Sequence, residues 1–347
     1  MKVGVIVNPH AKRNRARRDR VAEVQQILGD SALVVATMSV EDIGFQLERF
    51  MAAGVEYIVA DGGDGTLHCV LNQAIARLGV DAALRFSYLP SSSGTINYMA
   101  RLVGLKGSSE DNLRRLRALL TRGLKPELVR FPSLLNTGRV IDSAGRTSVW
   151  GCHSWSNAVG GYAANFHQRW YDSHEFEGAP RIVALFSEGL AAAALNSALR
   201  GPLAGLRPQW LEDLVQVYGP LLKGEILVDD EPFVAPDGSR LSEYSMVNVG
   251  AIPVNLAGVF RVFGQASERS IQVHVGQITP SELPAAAWKT FKNKGFGSDK
   301  FYDGPAQSLE VRCAPGETLR PALDGEVYHD LVEFRSEQGP LVSFVRV

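Results

Sequence analysis

VEYIVADGGDGTLHCVLN occupies residues 55–72 of the 347-residue chain. Its first six residues are apolar and partly β-branched, the composition and length of a buried strand. Asp61-Gly62-Gly63-Asp64-Gly65 follows as a turn. From Thr66 onward, Leu67, Val70, Leu71, Ala74 and Leu78 recur at helical spacing. A strand, a glycine turn and a helix in that order make a phosphate-binding layout. The glycines permit positive φ and let main-chain N–H groups approach an anion, and the helix adds its unpaired donors and positive dipole end. The dinucleotide fingerprint GxGxxG and the P-loop ending in Lys-Ser/Thr are both absent. Asp64 would repel a bare phosphate, so an acid there fits a magnesium ion, a ribose hydroxyl or a neighbouring cation, and points to a nucleotide polyphosphate. An ordinary Asp/Gly tight turn has the same composition.

Upstream, residues 3–7 (VGVIV) form an apolar run closed by Asn8-Pro9. Lys12, Arg13, Arg15, Arg17, Arg18 and Arg20 come next, on a chain whose net charge is only −1. Most of these suit a solvated helix face. Lys12 and Arg13, nearest the turn, are the candidates for phosphate contact. Helix over 21–28, strand over 33–37 and helix over 40–53 then lead into the opening run. The alternation implies a parallel sheet covered on both faces, with ligands outside the carboxyl ends of its strands. The layout recurs at 85–103, where a strand, the turn Pro90-Ser91-Ser92-Ser93-Gly94-Thr95 and a short helix carrying Asn97 follow one another. Two such turns in consecutive βα units can close on the two sides of one nucleotide.

After Pro126 the texture changes. Short strand-like runs at 149–152, 214–218, 225–228, 245–249 and 270–275, split by Gly, Pro and Asp, suggest a mainly β second domain. Residues 157–161 (NAVGG) read as a glycine-rich turn or a segment near a cleft. Residues 181–206 are strongly apolar but broken by Glu188, Gly189, Arg200 and Pro202, which suits a core helix or the wall of an acyl-chain pocket and not a bilayer span. Trp288, Phe291 and Phe296 interleave with Lys289, Lys292 and Lys294, as at a membrane interface or a wetted loop. Asp237-Gly238 and Asp303-Gly304 read as plain hairpin turns. In Ala322-Leu323-Asp324-Gly325-Glu326, Asp324 and Glu326 would share one face of an extended segment. Strands at 331–335 and 341–345 finish the chain.

Composition bounds the rest. Hydrophobic residues at 45% and charged residues at 21% are those of a globular chain long enough for two domains. The near-zero charge gives no global field toward nucleic acid. Cys69, Cys152 and Cys313 and the seven histidines show no metal-ligand spacing. The apolar start is too short for a signal peptide, so a cytoplasmic protein is expected.

VIVNP at 5–9, GGDGTL at 62–67 with Asn72, GT-x-N-xx-A at 94–100 with Arg101, and DGE at 324–326 resemble the diacylglycerol kinase catalytic family, which includes sphingosine and ceramide kinases and soluble bacterial lipid kinases. The resemblance covers residues 1–104 and the DGE closely and the remainder loosely. It implies an α/β nucleotide-binding domain (1–127, with 328–347 returning) and a β-sandwich-like acceptor domain (128–327), an architecture shared with NAD kinases. It further implies ATP and Mg2+ as cofactors, with ATP meeting a lipid substrate in the cleft. By the same resemblance the nucleotide set is Asn8, Pro9, Lys12, Arg13, Gly62, Gly63, Asp64, Gly65, Thr66, Ser93, Gly94, Thr95, Asn97 and Glu326. Asp64 is the metal candidate and Asp324 the catalytic base. The partners implied are a lipid, a membrane surface touched peripherally at its inner face and, as a further option, a second copy of the chain as a homodimer. Nucleic acid is not among them. Three departures stand out: Tyr98 where the family commonly has Asp, His10-Ala11-Lys12-Arg13 where small residues are usual, and Glu268-Arg269 in place of a later Asp-Gly. The alternatives are a nucleotide- or lipid-binding regulator without turnover, and an NAD kinase.

Overall fold

The run VGVIV becomes the central strand of a parallel sheet in the computed structural model, which describes residues 2–17, 19–30, 32–94, 96–172, 179–199, 208–256, 260–279, 282–291 and 295–347. The chain divides into two compact units, residues 1–131 with 341–347, and residues 132–340. Of the expected returning segment 328–347, only the last seven residues group with the first unit.

The first unit runs β1 (Lys2–Val7), α1 (Lys12–Arg15), α2 (Arg20–Leu28), β2 (Ala32–Ala36), α3 (Val40–Ala52), β3 (Val55–Asp61), α4 (Asp64–Leu78), α5 (Val80–Ala83), β4 (Ser87–Pro90), α6 (Tyr98–Val103) and α7 (Ser109–Thr121). The strands lie in the order β4-β3-β1-β2, all parallel. Alternation along β1 decides what each face meets. Val3, Val5 and Val7 pack with Tyr57, Val59 and Leu89 against Val24 and Leu28 of α2 and Leu113 and Leu116 of α7. On the other face Gly4 leaves room for the Phe50 ring of α3, to which a Cβ would come within 2.4 Å. Leu47, Leu67, Val70 and Leu71 are fully buried there, each side chain contributing about 1.5–3 kcal/mol. Ser39 with Asp42, and Ser108 with Asp111, form capping boxes that start α3 and α7.

Strand β5 (Glu127–Ile141) leads into the second unit: β6 (Thr147–Ser154), β7 (Ser156–Gly161), α8 (Tyr162–Asp172), α9 (Ala179–Ala198), α10 (Gln209–Tyr218), β8 (Leu222–Val228), β9 (Glu231–Pro232), β10 (Glu243–Tyr244), β11 (Met246–Gly250), β12 (Val254–Leu256), β13 (Phe260–Val262), β14 (Ile271–Gly276), α11 (Leu283–Phe291), β15 (Phe301–Ala306), β16 (Ser308–Cys313), β17 (Ala322–Leu323), β18 (Glu326–Val327) and β19 (Leu331–Arg346). A six-stranded sheet takes the order β15-β14-β11-β7-β17-β18, with antiparallel neighbours. Strands β8, β16 and β19 pair antiparallel in a second set. The unit is mainly β, with helices.

Several expectations from sequence change. Residues 214–218 are helix, not strand: the alternation in LVQVY masked Leu211, Leu214, Val215 and Tyr218 at helical spacing, and Leu211 and Tyr218 are the buried pair. NAVGG is strand β7, where its glycines let neighbours close in; a Cβ on Gly160 would meet Leu222 at 2.2 Å. Asp303-Gly304 lies inside β15 and is no turn, whereas Asp237-Gly238 is one, with Gly238 at φ +84°. The two expected terminal strands are one 16-residue strand. Within 181–206, α9 ends at Ala198 and residues 200–207 lie outside the described residues. Trp288 is exposed on α11 and the Lys289 ammonium lies 5.2 Å from the Phe296 ring centroid, while Lys292 and Lys294 lie outside the described residues. No helix among the described residues is long and apolar enough to cross a membrane.

Candidate active site

In a sheet ordered β4-β3-β1-β2 the chain winds away in opposite directions from β1 and β3, and the crevice at their carboxyl ends is where ligands of such sheets bind. Asn8 follows β1 there, and its N–H donates to the Asp61 carbonyl at the end of β3. Asn8 Nδ2 donates to Thr66 Oγ1 at 2.9 Å, tying the first turn to the second.

The glycines act differently from expectation. None of Gly62, Gly63 and Gly65 has positive φ; Gly63 sits at −100° and Gly65 is already in α4. What glycine supplies is close approach. A Cβ on Gly62 would lie 2.1 Å from Thr66 Oγ1, and one on Gly94 would lie 2.4 Å from the Gly63 Cα. The two turns therefore pack backbone to backbone. Ser93 N–H donates to the Gly62 carbonyl, and Arg13 N–H to the Ser93 carbonyl. Asn97, left-handed at φ 53°, pins the second turn: Oδ1 accepts from Gly94 N–H at 2.8 Å, and Nδ2 donates to the carbonyls of Gly94 and Ser92. Asp64 accepts from the N–H groups of Tyr98 and Met99, each at 3.1 Å, which caps α6.

Beneath both turns lies an ion pair the sequence reading did not single out. Asp61, fully buried, accepts from Arg20 Nε at 2.7 Å and Nη2 at 3.0 Å, and from the hydroxyls of Ser91, Ser93 and Ser109. Arg20 also reaches Glu110, and Arg17 pairs with Glu23 and Glu110. Burial works against the Arg20 charge, yet the hydrogen bond and charge of Asp61 outweigh it and raise its pKa. The basic cluster is thus not simply a solvated face. A signal was present: Arg20, Val24 and Leu28 share the buried stripe of α2. Arg13 is exposed and Pro9 half-exposed; the Lys12 side chain, Arg18 and Thr95 lie outside the described residues.

Asp324 and Glu326 belong to the second unit. They do not share a strand face, because Asp324 and Gly325, at φ 52° and 94°, form the two-residue turn joining β17 to β18, the turn for which Asp-Gly is suited. Asp324 Oδ1 accepts from the N–H groups of Trp155 and Ser156 at 2.9 and 3.0 Å, and its own N–H donates to the Ser156 carbonyl. The Tyr171 hydroxyl donates to the Gly325 carbonyl. Behind the turn, Asn136, Ser154 and Asn157 close a buried ring of hydrogen bonds of 2.6–2.8 Å, which Ser336 joins. The carboxylate is therefore held in one orientation, on a hairpin that is itself anchored. Glu326 is half-buried on β18.

Among the described residues no group of three or more His, Cys, Asp or Glu is placed to hold a metal. Each oxygen of Asp64 accepts one of the two α6 amides.

The family model for the diacylglycerol kinase catalytic domain matches residues 2–125. No curated protein matches the chain. Among solved structures, one of a diacylglycerol kinase from Bacillus anthracis str. Sterne is similar over 100% of this chain and 97% of that one, at 15% identity and TM-score 0.56. Two further structures from the same organism give TM-scores of 0.60 at 15% and 16% identity, with the same coverage.

Proposed function

We propose, from the match of residues 2–125 to the diacylglycerol kinase catalytic domain, that the chain is a lipid kinase of that family and transfers the γ-phosphoryl group of ATP to a hydroxyl of a lipid. The observation that carries the reading is the packing of Gly63 against Gly94 at the carboxyl ends of β1, β3 and β4. Main chain without side chains on two sides of one crevice suits a polyphosphate.

Asn8, Gly62, Gly63, Gly65, Thr66, Ser93, Gly94 and Asn97 frame the nucleotide in this reading, with Arg13 at the rim. Magnesium, when bound, neutralises charge on the transferring phosphate, and Asp64 is the residue that would hold it. Asp324 orients the acceptor hydroxyl and receives its proton as the new O–P bond forms and the bond to the ADP leaving oxygen breaks. Two amides on one oxygen fix the plane of that carboxylate before the substrate arrives. A lipid acceptor brings the protein to a membrane surface peripherally. Tyr98 in the slot of the usual acid does not favour a silent regulator, because what Asp64 uses at that position is the main-chain N–H.

Purified protein with labelled ATP, magnesium and a panel of diacylglycerol, sphingosine, ceramide and NAD tests the assignment. Product from a lipid is expected; ATP binding without product from any acceptor overturns it. Asp324→Asn keeps an acceptor for the Trp155 and Ser156 amides and tolerates positive φ, so it should fold while losing roughly 10²–10⁴ in kcat. Near-normal turnover in that variant removes Asp324 as the base.

A further inference from the structure

The first unit carries a second concentration of positive charge, outside the two turns. Residues 112–126 (NLRRLRALLTRGLKP) hold four arginines and one lysine and no acid, on a chain whose net charge is −1. Helix α7 carries most of this run, and its apolar stripe, Leu113 and Leu116, is buried against Val24 and Leu28 of α2. Arg114, Arg117, Thr121 and the C-cap Arg122 recur at three- and four-residue spacing, so they share one flank of the helix beside that contact.

Between this flank and α2 lies an open groove of about 600 Å³, walled by Glu23, Gln26 and Ile27 on one side and by Arg114, Arg117 and Arg122 on the other. That volume is in the range of small-molecule sites. The arginines are exposed, so a ligand can reach them from solvent.

Their charge is largely uncompensated. Arg114 meets Asp111 at 3.3 Å, a contact between two exposed side chains, and such pairs are weak. Arg117 and Arg122 form no ion pair among the described residues. Glu23, the acid in the wall, is already bonded to Arg17 at 2.7 Å and to Arg20 at 3.0 Å. Glu110 is taken by the same two arginines, and Glu127 by Arg346. Arg117 is also held in place: Nη1 donates to the carbonyls of Gln26 and Ile27 at 3.3 and 2.8 Å, two of the orphan acceptors at the end of α2. Its Nε and Nη2 are left without a protein acceptor among the described residues.

Helix ends account for part of this charge, since basic side chains stabilise a helix C-terminus. They do not account for Arg114 in the first half of α7, nor for three like charges around one concavity, whose mutual repulsion an anion relieves. Guanidinium forks match phosphate oxygens in pairs. We propose that the α2–α7 groove binds a phosphate-bearing anion of two or more negative charges, at a site that shares no residue with the proposed nucleotide crevice. A soluble phosphorylated molecule and the headgroup of an anionic lipid both present that chemistry.

Two arms test it with the full chain: calorimetric titration with inorganic pyrophosphate at constant ionic strength, and co-sedimentation with phosphatidylcholine vesicles made with and without phosphatidic acid. Binding to pyrophosphate alone assigns a soluble ligand, and binding to the phosphatidic acid vesicles alone assigns a headgroup; either result, or both, supports the site. Arg114→Gln with Arg122→Gln should weaken binding roughly tenfold or more while keeping the bonds of Arg117 to α2, and circular dichroism checks that the double variant folds. Arg115→Gln should leave binding nearly unchanged, because Arg115 lies on another flank of α7 and donates to the Lys106 carbonyl at 2.7 Å. Gly94→Ala, which crowds the two turns, should leave it in place. No binding in either arm, a loss caused by Gly94→Ala alone, or equal losses in Arg115→Gln and the double variant overturns the proposal. Failure of the wild type to bind ATP removes the nucleotide reading and leaves this site standing.

Discussion

Replacing Arg20 by Met tests whether the buried ion pair holds the two turns at 62–65 and 91–97 together. Met fills most of the aliphatic stem but leaves Asp61, fully buried, without the cation that contacts it at 2.7 and 3.0 Å. Removing one partner of a buried pair costs about 3–5 kcal/mol. Asp61 keeps three serine hydroxyls and Asn14 Nδ2 as donors, which places the expected loss at the lower end, about 3 kcal/mol. In chemical unfolding followed by circular dichroism, the transition of the N-terminal unit should move to lower denaturant by that amount. Because Ser91 and Ser93 hang on the same carboxylate, affinity for a non-hydrolysable ATP analogue should fall as well. Adding Asp61→Asn removes the stranded charge, so the double variant should be more stable than the sum of the two single losses. A loss below about 1 kcal/mol for Arg20→Met, or strict additivity of the pair, refutes the reasoning.

Gly94→Ala forces a Cβ to within 2.4 Å of the Gly63 Cα, which should cost roughly 1–3 kcal/mol and abolish nucleotide binding in calorimetric titration, while Gly54→Asn, a residue that tolerates the left-handed φ of 71° there and meets open space, leaves binding intact. Burial would raise the Glu110 pKa, but its own backbone N–H, Arg17 and Arg20 hold it at about 2. A carboxyl depressed by folding stabilises the fold above its unfolded value, about 4.3, and that contribution is lost as pH falls toward 2; the acid limb of a stability–pH curve should flatten in Glu110→Gln. Burial first, and the Asp324 charge second, push the Cys152 thiol up to about 12, so iodoacetamide at pH 8 should label it only after unfolding.

How much of this was legible depended on whether the physics was local. The β1–β4 order of elements could be read because each strand is an apolar run and each helix carries its own 3.6-residue stripe; α3 and α7 even announce their capping boxes in the sequence. The two turns were legible as glycine and small-residue clusters, but their mechanism was not. Whether a glycine is needed for φ or for space depends on what stands opposite, and the partner of Gly63 is 31 positions away at Gly94. Arg20 and Asp61 were obscured by their company. Arg20 sits among five other bases, and Asp61 reads as the first residue of a polar turn when it is the last residue of a buried strand.

The second unit was less legible for the same reason, and the case of Asp324 shows how far local rules reach. Asp-Gly reads as a hairpin turn at 237–238 and 303–304 and as part of an extended segment at 324–325; the chain turns at 237–238, makes a hairpin at 324–325, and runs straight through at 303–304. The difference lies in neighbours that sequence spacing does not reveal. Asp303 is paired across the strands with His274, and straightening the backbone there lets its carboxylate reach Gln272 and Phe296 N–H. Asp324 instead meets the Trp155 and Ser156 amides at the β6–β7 corner, which reward a left-handed turn. Two identical dipeptides thus become a buried strand pair and a clamped turn, because buried carboxylates go where donors are. The orientation of the clamped one is set by main chain, which substitution elsewhere in the unit does little to disturb.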